Sequence, residues 1–383
     1  MSSAPAIEML HTETLVVGAG AAGLATAACL GRSKLEHLVL EQHDQVAHAW
    51  RNHYERLHLH TSKGLSALPG LPFGPDVPRY PTREQVVNYL EQYAEHHRIH
   101  PRFGERVARL RPVDGGWLTE TQTRHYRSRN VVMASGYTRV PVVPTWPGQS
   151  EFRGECFHSS KYRTGARYSG QRVLVVGFGN SGGEIAIDLH EQGAHPTLAV
   201  RSPVNVVPRD MLGIPILAVG IVMSKLPARL ADALSAPLVR AFVGDIRPLG
   251  LTPLAYGPNQ QIRGDARIPL LDIGTIALAR QGKIAIRPGV ERFTEGGVVF
   301  TDGREEPFDA VVLATGYRPA LEELVQGIES VADDRGRPKA SGAPTALGGL
   351  YFCGFHVAPT GMLREIGIEA RRIAEAIAAF DAR

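Results

Sequence analysis

The sequence predicts an α/β fold built from two similar units, each with a strand, a glycine-rich turn and a helix. The first unit is indicated by residues 14–23, where a short apolar strand runs into a glycine turn and then into a helix of small residues. The same order of features returns at residues 172–186. Two copies separated by roughly 160 residues predict two similar domains and not a short-period solenoid.

Length and composition agree with two to three globular domains. The chain has 383 residues, 43% of them hydrophobic and 21% charged, which does not fit a disordered protein. Its 42 basic and 38 acidic residues include no basic block, so nucleic-acid binding is not indicated. No apolar run reaches the ~18 residues of a membrane span. The N-terminal residues lack a basic and then apolar leader, which predicts a cytoplasmic protein.

The cysteines and histidines give no sign of a metal or disulfide site. Cys29, Cys156 and Cys353 are far apart and form no C-x-x-C pair, which argues against structural zinc, disulfide frameworks and dithiol chemistry. Histidines cluster at residues 58–60 and 96–100. Because no third ligand follows at a recognisable spacing, packed or solvated histidines are favoured and no metal is predicted.

The first turn has the spacing of a dinucleotide-binding loop. In Gly18-x-Gly20-x-x-Gly23, one glycine makes the tight turn, one lets the backbone approach a pyrophosphate, and one allows close packing of the helix on the strand. The next strand, at residues 37–41, ends in Glu41, whose carboxylate suits a ribose hydroxyl. The alternative is a glycine-rich turn without a ligand.

The second turn predicts a different nucleotide. Gly177-x-Gly179-x-x-Gly182 has the same context, but Arg201 and not an acid closes the strand that follows it. A guanidinium there would accept a 2′-phosphate, so we expect NADPH to be preferred to NADH, unless Arg201 is an ordinary solvated charge. One site for each kind of ribose suggests bound FAD and exchangeable NADPH, in the order of hydride flow to the flavin.

Between the turns, the pattern predicts one helix and three strands. Thr82 and Gln85 form a candidate capping box at the start of an amphipathic helix. The strands are expected at residues 107–111, 116–121 and 131–134.

Residues 211–243 are apolar and predicted to be helical, with prolines and basic residues interrupting them. We expect a buried helical insertion here. The alternatives are a surface that touches a membrane or one that forms a homodimer.

Three further segments resemble those of the class B flavin-dependent monooxygenases. Phe152-x-Gly154-x-x-x-His158-Ser159-x-x-Tyr162 resembles the identifying sequence of that family, and its final Tyr is the residue found in flavin-containing monooxygenases, where Baeyer–Villiger enzymes usually carry Trp. Residues 131–137 and 314–319 resemble the two linkers between the FAD and NADPH domains. The resemblance implies a fold of the glutathione-reductase-like type with a discontinuous FAD domain.

The likeness extends over almost the whole chain and is greatest to the YUCCA-type enzymes. The segments that carry it are residues 50–60, 80–85, 89–94, 200–202, 207–213 and 270–274. It implies an FAD-containing, NADPH-dependent monooxygenase that uses a C4a-(hydro)peroxyflavin and molecular oxygen. The implied reaction is the oxidative decarboxylation of an aryl 2-oxo acid such as indole-3-pyruvate to indole-3-acetate.

The resemblance also implies roles for individual residues. Lys63, Asn180 and Ser181 lie where the family places functional groups and are the candidate catalytic residues; the alternative for Asn180 is a helix cap. Cofactor binding is expected at the two turns and at flanking residues. These are Gly18, Gly20, Gly23, Glu41, Trp50, Arg51, His60, Gly177, Gly179, Asn180, Ser181, Gly182, Arg201, Ser202, Ala314, Thr315, Gly316 and Tyr317.

The implied domain boundaries follow from the linkers. We expect an FAD-binding domain in residues 1–164 and 319–383, around an NADPH-binding domain in residues 165–318 that carries the insertion near 211–245. In residues 354–370 the sequence departs from the plant pattern and is more similar to bacterial relatives of mixed substrate range.

Other activities remain open at this stage. They are N- or S-oxygenation, Baeyer–Villiger oxidation, an NADPH-dependent flavin reductase of the ferredoxin or quinone type, and a non-enzymatic redox sensor. A disulfide reductase shares the two-nucleotide plan but needs a dithiol.

Overall fold

A computed structural model describes residues 8–381 of the chain. The strands are β1 (Glu8–Val17), β2 (His37–Leu40), β3 (Val107–Val113), β4 (Gly116–Thr121), β5 (Arg124–Met133), β6 (Val140–Pro141), β7 (Glu155–His158), β8 (Arg172–Val176), β9 (His195–Ala199), β10 (Val206–Pro208), β11 (Asp210–Met211), β12 (Ile214–Pro215), β13 (Leu270–Asp272), β14 (Ala285–Arg287), β15 (Val290–Thr294), β16 (Gly297–Phe300), β17 (Glu305–Pro307), β18 (Ala310–Leu313), β19 (Tyr317–Arg318) and β20 (Leu350–Phe352). The helices are α1 (Ala21–Arg32), α2 (His48–Arg51), α3 (Lys63–Ser66), α4 (Arg83–His96), α5 (Asn180–Glu191), α6 (Ile216–Met223), α7 (Ala228–Val243), α8 (Pro258–Asp265), α9 (Thr275–Arg280) and α10 (Met362–Asp381).

The first sheet takes strands from both ends of the chain. Its order is β2-β1-β5-β4-β3, and β20 pairs with β5 as well. Strands β2, β1, β5 and β20 are parallel, whereas β3 and β4 are antiparallel additions. The pairing of residues 350–352 with residues 131–133 brings the C-terminal part of the chain back to the N-terminal sheet. Helices α1 and α10 pack together in the core beside this sheet.

The second sheet is parallel throughout and lies within residues 155–313. Its order is β14-β9-β8-β18-β7. The predicted strand, turn and helix at residues 172–186 are confirmed as β8, a glycine turn and α5. All four residues of β18 are buried, as expected for a strand covered on both faces. The two linkers meet as the short antiparallel pair β6 and β19.

The helix predicted after Thr82 forms as α4, with the expected capping box. The Gln85 backbone N–H donates to the Thr82 hydroxyl (3.2 Å), and the Thr82 N–H donates to the Gln85 side chain (2.9 Å). Both orphan donors at the start of the helix are thereby satisfied. The strands expected at residues 107–111 and 116–121 are confirmed as β3 and β4.

The expectation that residues 211–243 are a buried insertion is wrong. The segment contains the β11–β12 hairpin, α6 and α7, but in α6 only Leu217 is buried, and in α7 only Ala231, Asp232 and Val243. Apolar content predicted the helices but could not tell which of their faces meets the protein. In residues 8–381, no helix is both long and apolar enough to cross a membrane.

Candidate active site

The first glycine turn is closed on two sides and open on the third. A Cβ on Gly23 would lie 1.8 Å from the Gly18 carbonyl oxygen, and one on Gly18 would lie 2.7 Å from the Ala134 oxygen. Gly18 also has φ +109°, which only glycine adopts easily. A Cβ on Gly20 would meet nothing within 4 Å. The outer glycines are therefore required by packing, and the middle one faces open space.

Glu41 lies beside this turn with its carboxylate fixed. One oxygen accepts from the Ala19 N–H (2.8 Å) and the other from the His43 N–H (3.0 Å). The residue is 7% exposed, and it borders the cavity described next. A carboxylate in this position keeps lone pairs that a ribose hydroxyl can use.

A cavity of about 610 Å³ opens at the turn and at the ends of the parallel strands. Residues from the turn, from β2's end and from both linkers line it, among them Gly20, Glu41, Ser135, Gly136 and Tyr317. The Ser135 hydroxyl is buried and has no hydrogen-bond partner in the protein. An open glycine backbone, a fixed carboxylate and an unpaired hydroxyl fit a bound dinucleotide.

The second turn repeats the geometry of the first. A Cβ on Gly182 would lie 2.3 Å from the Gly177 oxygen, and one on Gly177 would lie 2.4 Å from the Ala314 oxygen. Gly179 again faces open space, at the N-terminus of α5. The chain thus contains two glycine turns with the same geometry. Each packs against a linker carbonyl, that of Ala134 at the first turn and that of Ala314 at the second.

Arg201 and Ser202 follow β9 beside the second turn. Arg201 is exposed and forms no salt bridge with another residue in the described part of the chain. Its backbone packs against Gly289, where a Cβ would lie 2.8 Å from the Arg201 Cβ. The guanidinium is therefore available to an anionic ligand.

Asn180 and Ser181 are the first two residues of α5. The capping alternative for Asn180 is wrong, because Gly179 is the N-cap and the Asn180 Oδ1 atom instead accepts from the Leu271 N–H (2.8 Å). Ser181 contacts the hydroxyl of Tyr54, which comes from the segment after α2. Burial is the main reason that the pKa of Tyr54 is raised well above its usual range, so the phenol stays protonated.

The side chains of His60 and Glu184 are hydrogen-bonded to each other, which joins that segment to α5. Their side chains are 14% and 2% exposed. His60 Nδ1 and Glu184 Oε2 are buried and have no further partner. Sequence reasoning selected His60 as a cofactor contact and missed Glu184, although Glu184 stands in the α5 motif. A carboxylate on the apolar side of the helix after the glycine turn could have indicated this residue, because buried carboxylates are rare unless they have a partner.

Trp50 and Arg51 lie on α2 but do not line the cavity. Arg51 instead forms a salt bridge with Glu91 and donates to the Val46 carbonyl (3.1 Å). Trp50 packs against the core beside the first sheet. Neighbouring residues missed by the sequence analysis, His53 among them, line the cavity instead.

The Lys63 ammonium is held by a loop. It donates to the carbonyl oxygens of Gly74 (3.0 Å), Pro75 (2.9 Å) and Val77 (2.5 Å). Lys63 therefore joins α3 to the loop at residues 74–77, and three hydrogen bonds use its three donors.

The second linker is fixed by His158 from the family motif. Its Nε2 atom lies 3.0 Å from the Gly316 oxygen, and its Nδ1 atom accepts from the Ser160 N–H (3.1 Å). Thr315 donates to the Val142 oxygen (2.6 Å), and the Tyr317 ring lies edge-on to the His158 ring. These contacts give His158 a structural role in holding the second linker.

The cysteines give no redox centre within the described residues. All three are free, and Cys29 and Cys353 are buried. Burial raises the pKa of each thiol, which keeps it unreactive. Residues 8–381 also contain no group of three or more potential ligands arranged to hold a metal ion.

Comparisons with known proteins show which proteins this chain is similar to in sequence and in fold. Residues 15–210 match the family described as pyridine nucleotide-disulphide oxidoreductase. The probable indole-3-pyruvate monooxygenase YUCCA1 of Arabidopsis thaliana is 38% identical over 349 residues, which cover 89% of this chain and 84% of the relative. Indole-3-pyruvate monooxygenase YUCCA1 of Oryza sativa is 37% identical, with coverage of 93% and 90%. A flavin-containing monooxygenase structure from Stenotrophomonas maltophilia has a TM-score of 0.75 at 23% identity and covers 97% of this chain and all of its own.

Proposed function

The chain belongs to the class B flavin-dependent monooxygenases that include the YUCCA enzymes, and from this premise we propose that it oxidatively decarboxylates an aryl 2-oxo acid such as indole-3-pyruvate. The proposed reaction consumes the 2-oxo acid, oxygen, NADPH and a proton. It releases the shortened acid, carbon dioxide, NADP⁺ and water. The observation that carries the proposal is the pair of open glycine turns, each joined to a linker, in a chain 37–38% identical to two indole-3-pyruvate monooxygenases.

We assign FAD to the cavity at the first turn. Gly18 and Gly20 would let the pyrophosphate approach the start of α1, Glu41 would accept from the ribose, and Ser135 would donate its unpaired hydroxyl. When bound, the flavin would accept hydride and activate oxygen. The corresponding domain would comprise residues 1–164 and 319–383 in the glutathione-reductase-like arrangement, a proposal supported by the pairing of β20 with β5.

We assign NADPH to the second turn, within a domain of residues 165–318. Gly179 leaves the start of α5 open to the pyrophosphate, and Arg201, which has no ion-pair partner in residues 8–381, supports recognition of the 2′-phosphate. Ser202 and the linker residues from Ala314 to Tyr317 complete the proposed cofactor contacts.

The groups at the junction of the two sheets would orient the reactants and exclude water. Tyr54 and Glu184 are buried there, and His60 beside them is 14% exposed, next to Ser181 at the start of α5. The protonated Tyr54 hydroxyl can donate a hydrogen bond, and the His60 ring links the segment before α3 to Glu184 of α5. In a dry site, fixed donors of this kind act more strongly than they do in water.

Oxygenation of another small molecule is the second candidate. Residues 354–370, which differ from the plant pattern, favour it, because they follow β20, run into α10 and include Gly361, whose surroundings contain Thr61, the neighbour of His60. That candidate includes N- or S-oxygenation and Baeyer–Villiger oxidation.

A substrate panel distinguishes the two candidates. Purified enzyme loaded with FAD is mixed with NADPH, oxygen and either indole-3-pyruvate, phenylpyruvate, a tertiary amine, a thioether or a cyclic ketone. The proposal requires carbon dioxide from the 2-oxo acids in proportion to the NADPH consumed. Products from the amine, thioether or ketone alone would support the second candidate, and NADPH oxidation without any oxygenated product would indicate a reductase.

A further inference from the structure

Residues 212–242 expose a group of large apolar side chains that have no role in the candidate active site. In residues 212–242 seven large apolar side chains are at least 42% exposed: Leu212 (85%), Ile214 (54%), Val222 (64%), Leu230 (48%), Leu234 (56%), Leu238 (44%) and Phe242 (42%). We call these seven residues the apolar face. Single exposed apolar residues are ordinary, but a concentration of this kind marks a binding surface.

The helix α7 gives this face its shape. Leu230, Leu234, Leu238 and Phe242 recur every four residues and therefore form one stripe along the helix. Smaller exposed residues widen the stripe: Ala233, Ala236, Pro237 and Ala241. The opposite side of α7 carries the buried residues and packs on α8. The stripe is thus a regular face that the fold turns outward.

The charges around the apolar face are of one sign. Lys225, Arg229 and Arg240 are exposed, and none of the three forms a salt bridge with a residue in 8–381. The one acidic residue of the segment, Asp232, is 6% exposed and accepts from the backbone N–H groups of Asn259 (2.8 Å) and Gln260 (3.0 Å). The outward side of residues 212–242 is therefore apolar with a basic edge and carries no exposed acid; the exposed Asp245, just after α7, is paired with Arg247 and lies within electrostatic range of Arg240.

We propose that the apolar face binds the surface of an anionic phospholipid bilayer, with α7 lying in the plane of the interface. Apolar side chains would enter the boundary between head groups and acyl chains, and the three basic residues would contact lipid phosphates. A second copy of the chain fits less well. A twofold contact through this stripe would bring the Arg229 and Arg240 edges of both copies together, and the exposed acid near them, Asp245, is already paired with Arg247.

The bilayer-facing segment borders the candidate active site. A Cβ on Gly361 would lie 3.1 Å from the Leu217 side chain of α6 and 3.2 Å from that of Thr61. A Cβ on Gly220 would lie 2.5 Å from the Pro359 oxygen. Helix α6, which carries Val222 of the apolar face, therefore packs against the segment that precedes α10, so the lipid surface would lie beside the site and not at a remote end of the molecule.

Vesicle flotation tests the proposal with the full-length, FAD-loaded protein. The probes are vesicles of phosphatidylcholine alone and of phosphatidylcholine with phosphatidylglycerol. We expect flotation with the anionic vesicles, weakening as sodium chloride is raised. L234N/L238N should lower the vesicle partition coefficient at least about tenfold, and R229E/R240E should abolish the preference for anionic lipid.

A matched control distinguishes binding through the apolar face from non-specific hydrophobic adsorption to vesicles. M9S removes an apolar side chain that is 45% exposed on β1, far from the segment in sequence, and should float like the parent protein. Flavin content and melting temperature, measured on every variant, show that the fold is intact. The proposal is overturned if the parent does not bind anionic vesicles at low salt, or if L234N/L238N binds as the parent does. It is also overturned if sedimentation shows a dimer that L234N/L238N dissociates while no vesicle binding occurs.

Discussion

The imidazole of His60 and the carboxylate of Glu184 are hydrogen-bonded to each other, although 124 residues separate them in sequence. His60 lies before α3 on the flavin side, and Glu184 lies one turn into the helix that starts at the second glycine turn. Each side chain keeps one buried atom without a partner. The pair thus joins the segment before α3 to the helix that follows the second glycine turn.

Glu184→Ala should lower the free energy of unfolding, because it leaves the buried His60 ring without its acceptor. The expected loss is ~1–3 kcal/mol. Urea unfolding of E184A, H60A and the double variant measures how far the two residues depend on each other. We expect a coupling energy of at least ~0.5 kcal/mol, as for residues in contact. Additive losses would show that the pair does not stabilise the junction.

Gly23→Ala and Gly20→Ala should separate packing from ligand binding. In G23A the new methyl collides with the Gly18 carbonyl, so the apoprotein itself should be destabilised or misfolded. In G20A the methyl group would enter the open space of the cavity where FAD is proposed to bind. The melting temperature of the apoprotein should therefore be unchanged, while the affinity for FAD falls. Equal effects of the two substitutions on the apoprotein would contradict the assignment of the cavity.

Arg201→Ala should raise the KM for NADPH much more than that for NADH. Loss of a charged hydrogen bond to a 2′-phosphate is worth ~1.5–3 kcal/mol, or about 10- to 150-fold. The exposed Arg292 on β15 provides the control, and R292A should leave both KM values unchanged. A parallel rise for both nucleotides in R201A would remove the argument for the 2′-phosphate.

Lys63→Ala should uncouple NADPH oxidation from product formation. The ammonium group holds the loop at residues 74–77 through three carbonyls, and a loosened loop would admit water to the site. Hydrogen peroxide released per NADPH is the measurement, with K283A as the control at an exposed lysine. Unchanged peroxide release in K63A would show that the loop held by Lys63 does not keep water out of the site.

Stability should fall on acidification in part through His158. Burial lowers the pKa of its ring below the usual 6.5, and the Ser160 N–H occupies the nitrogen that would take the second proton. The unfolded chain therefore binds more protons between the folded pKa and 6.5, so stability is present above that window and lost as the pH falls through it. In H158N the free energy of unfolding should change less steeply with pH, by at most ~1.4 kcal/mol per pH unit. The same slope in H158N and in the parent would contradict this account; H100N, at an exposed histidine, is the control.

Local patterns predicted the elements that local rules determine. The glycine turns, the capping box at Thr82 and the repeated strand-turn-helix unit all depend on residues close together in sequence, and the structure contains them where they were expected. The Ala134 and Ala314 carbonyls that close the two turns also fall in the predicted linkers. Family resemblance supplied the type of enzyme, which spacing alone could not.

Contacts between residues that are far apart in sequence could not be predicted from local patterns. Nothing local indicates that His60 meets Glu184, or that Arg51 turns to Glu91 and away from the cavity. Apolar content in residues 211–243 predicted helices and was interpreted as burial, yet the stripe on α7 faces outward. Periodicity identifies an apolar side of a helix but not what covers it.

The central claim is that this chain inserts one atom of oxygen into a 2-oxo acid while carbon dioxide leaves. The direct measurement is a reaction under ¹⁸O₂ with NADPH and indole-3-pyruvate, in the presence of catalase so that free hydrogen peroxide cannot decarboxylate the substrate. The account predicts indole-3-acetate carrying a single ¹⁸O atom, formed in step with NADPH oxidation and unaffected by catalase. Product that disappears when catalase is added, or that carries no label, would contradict it.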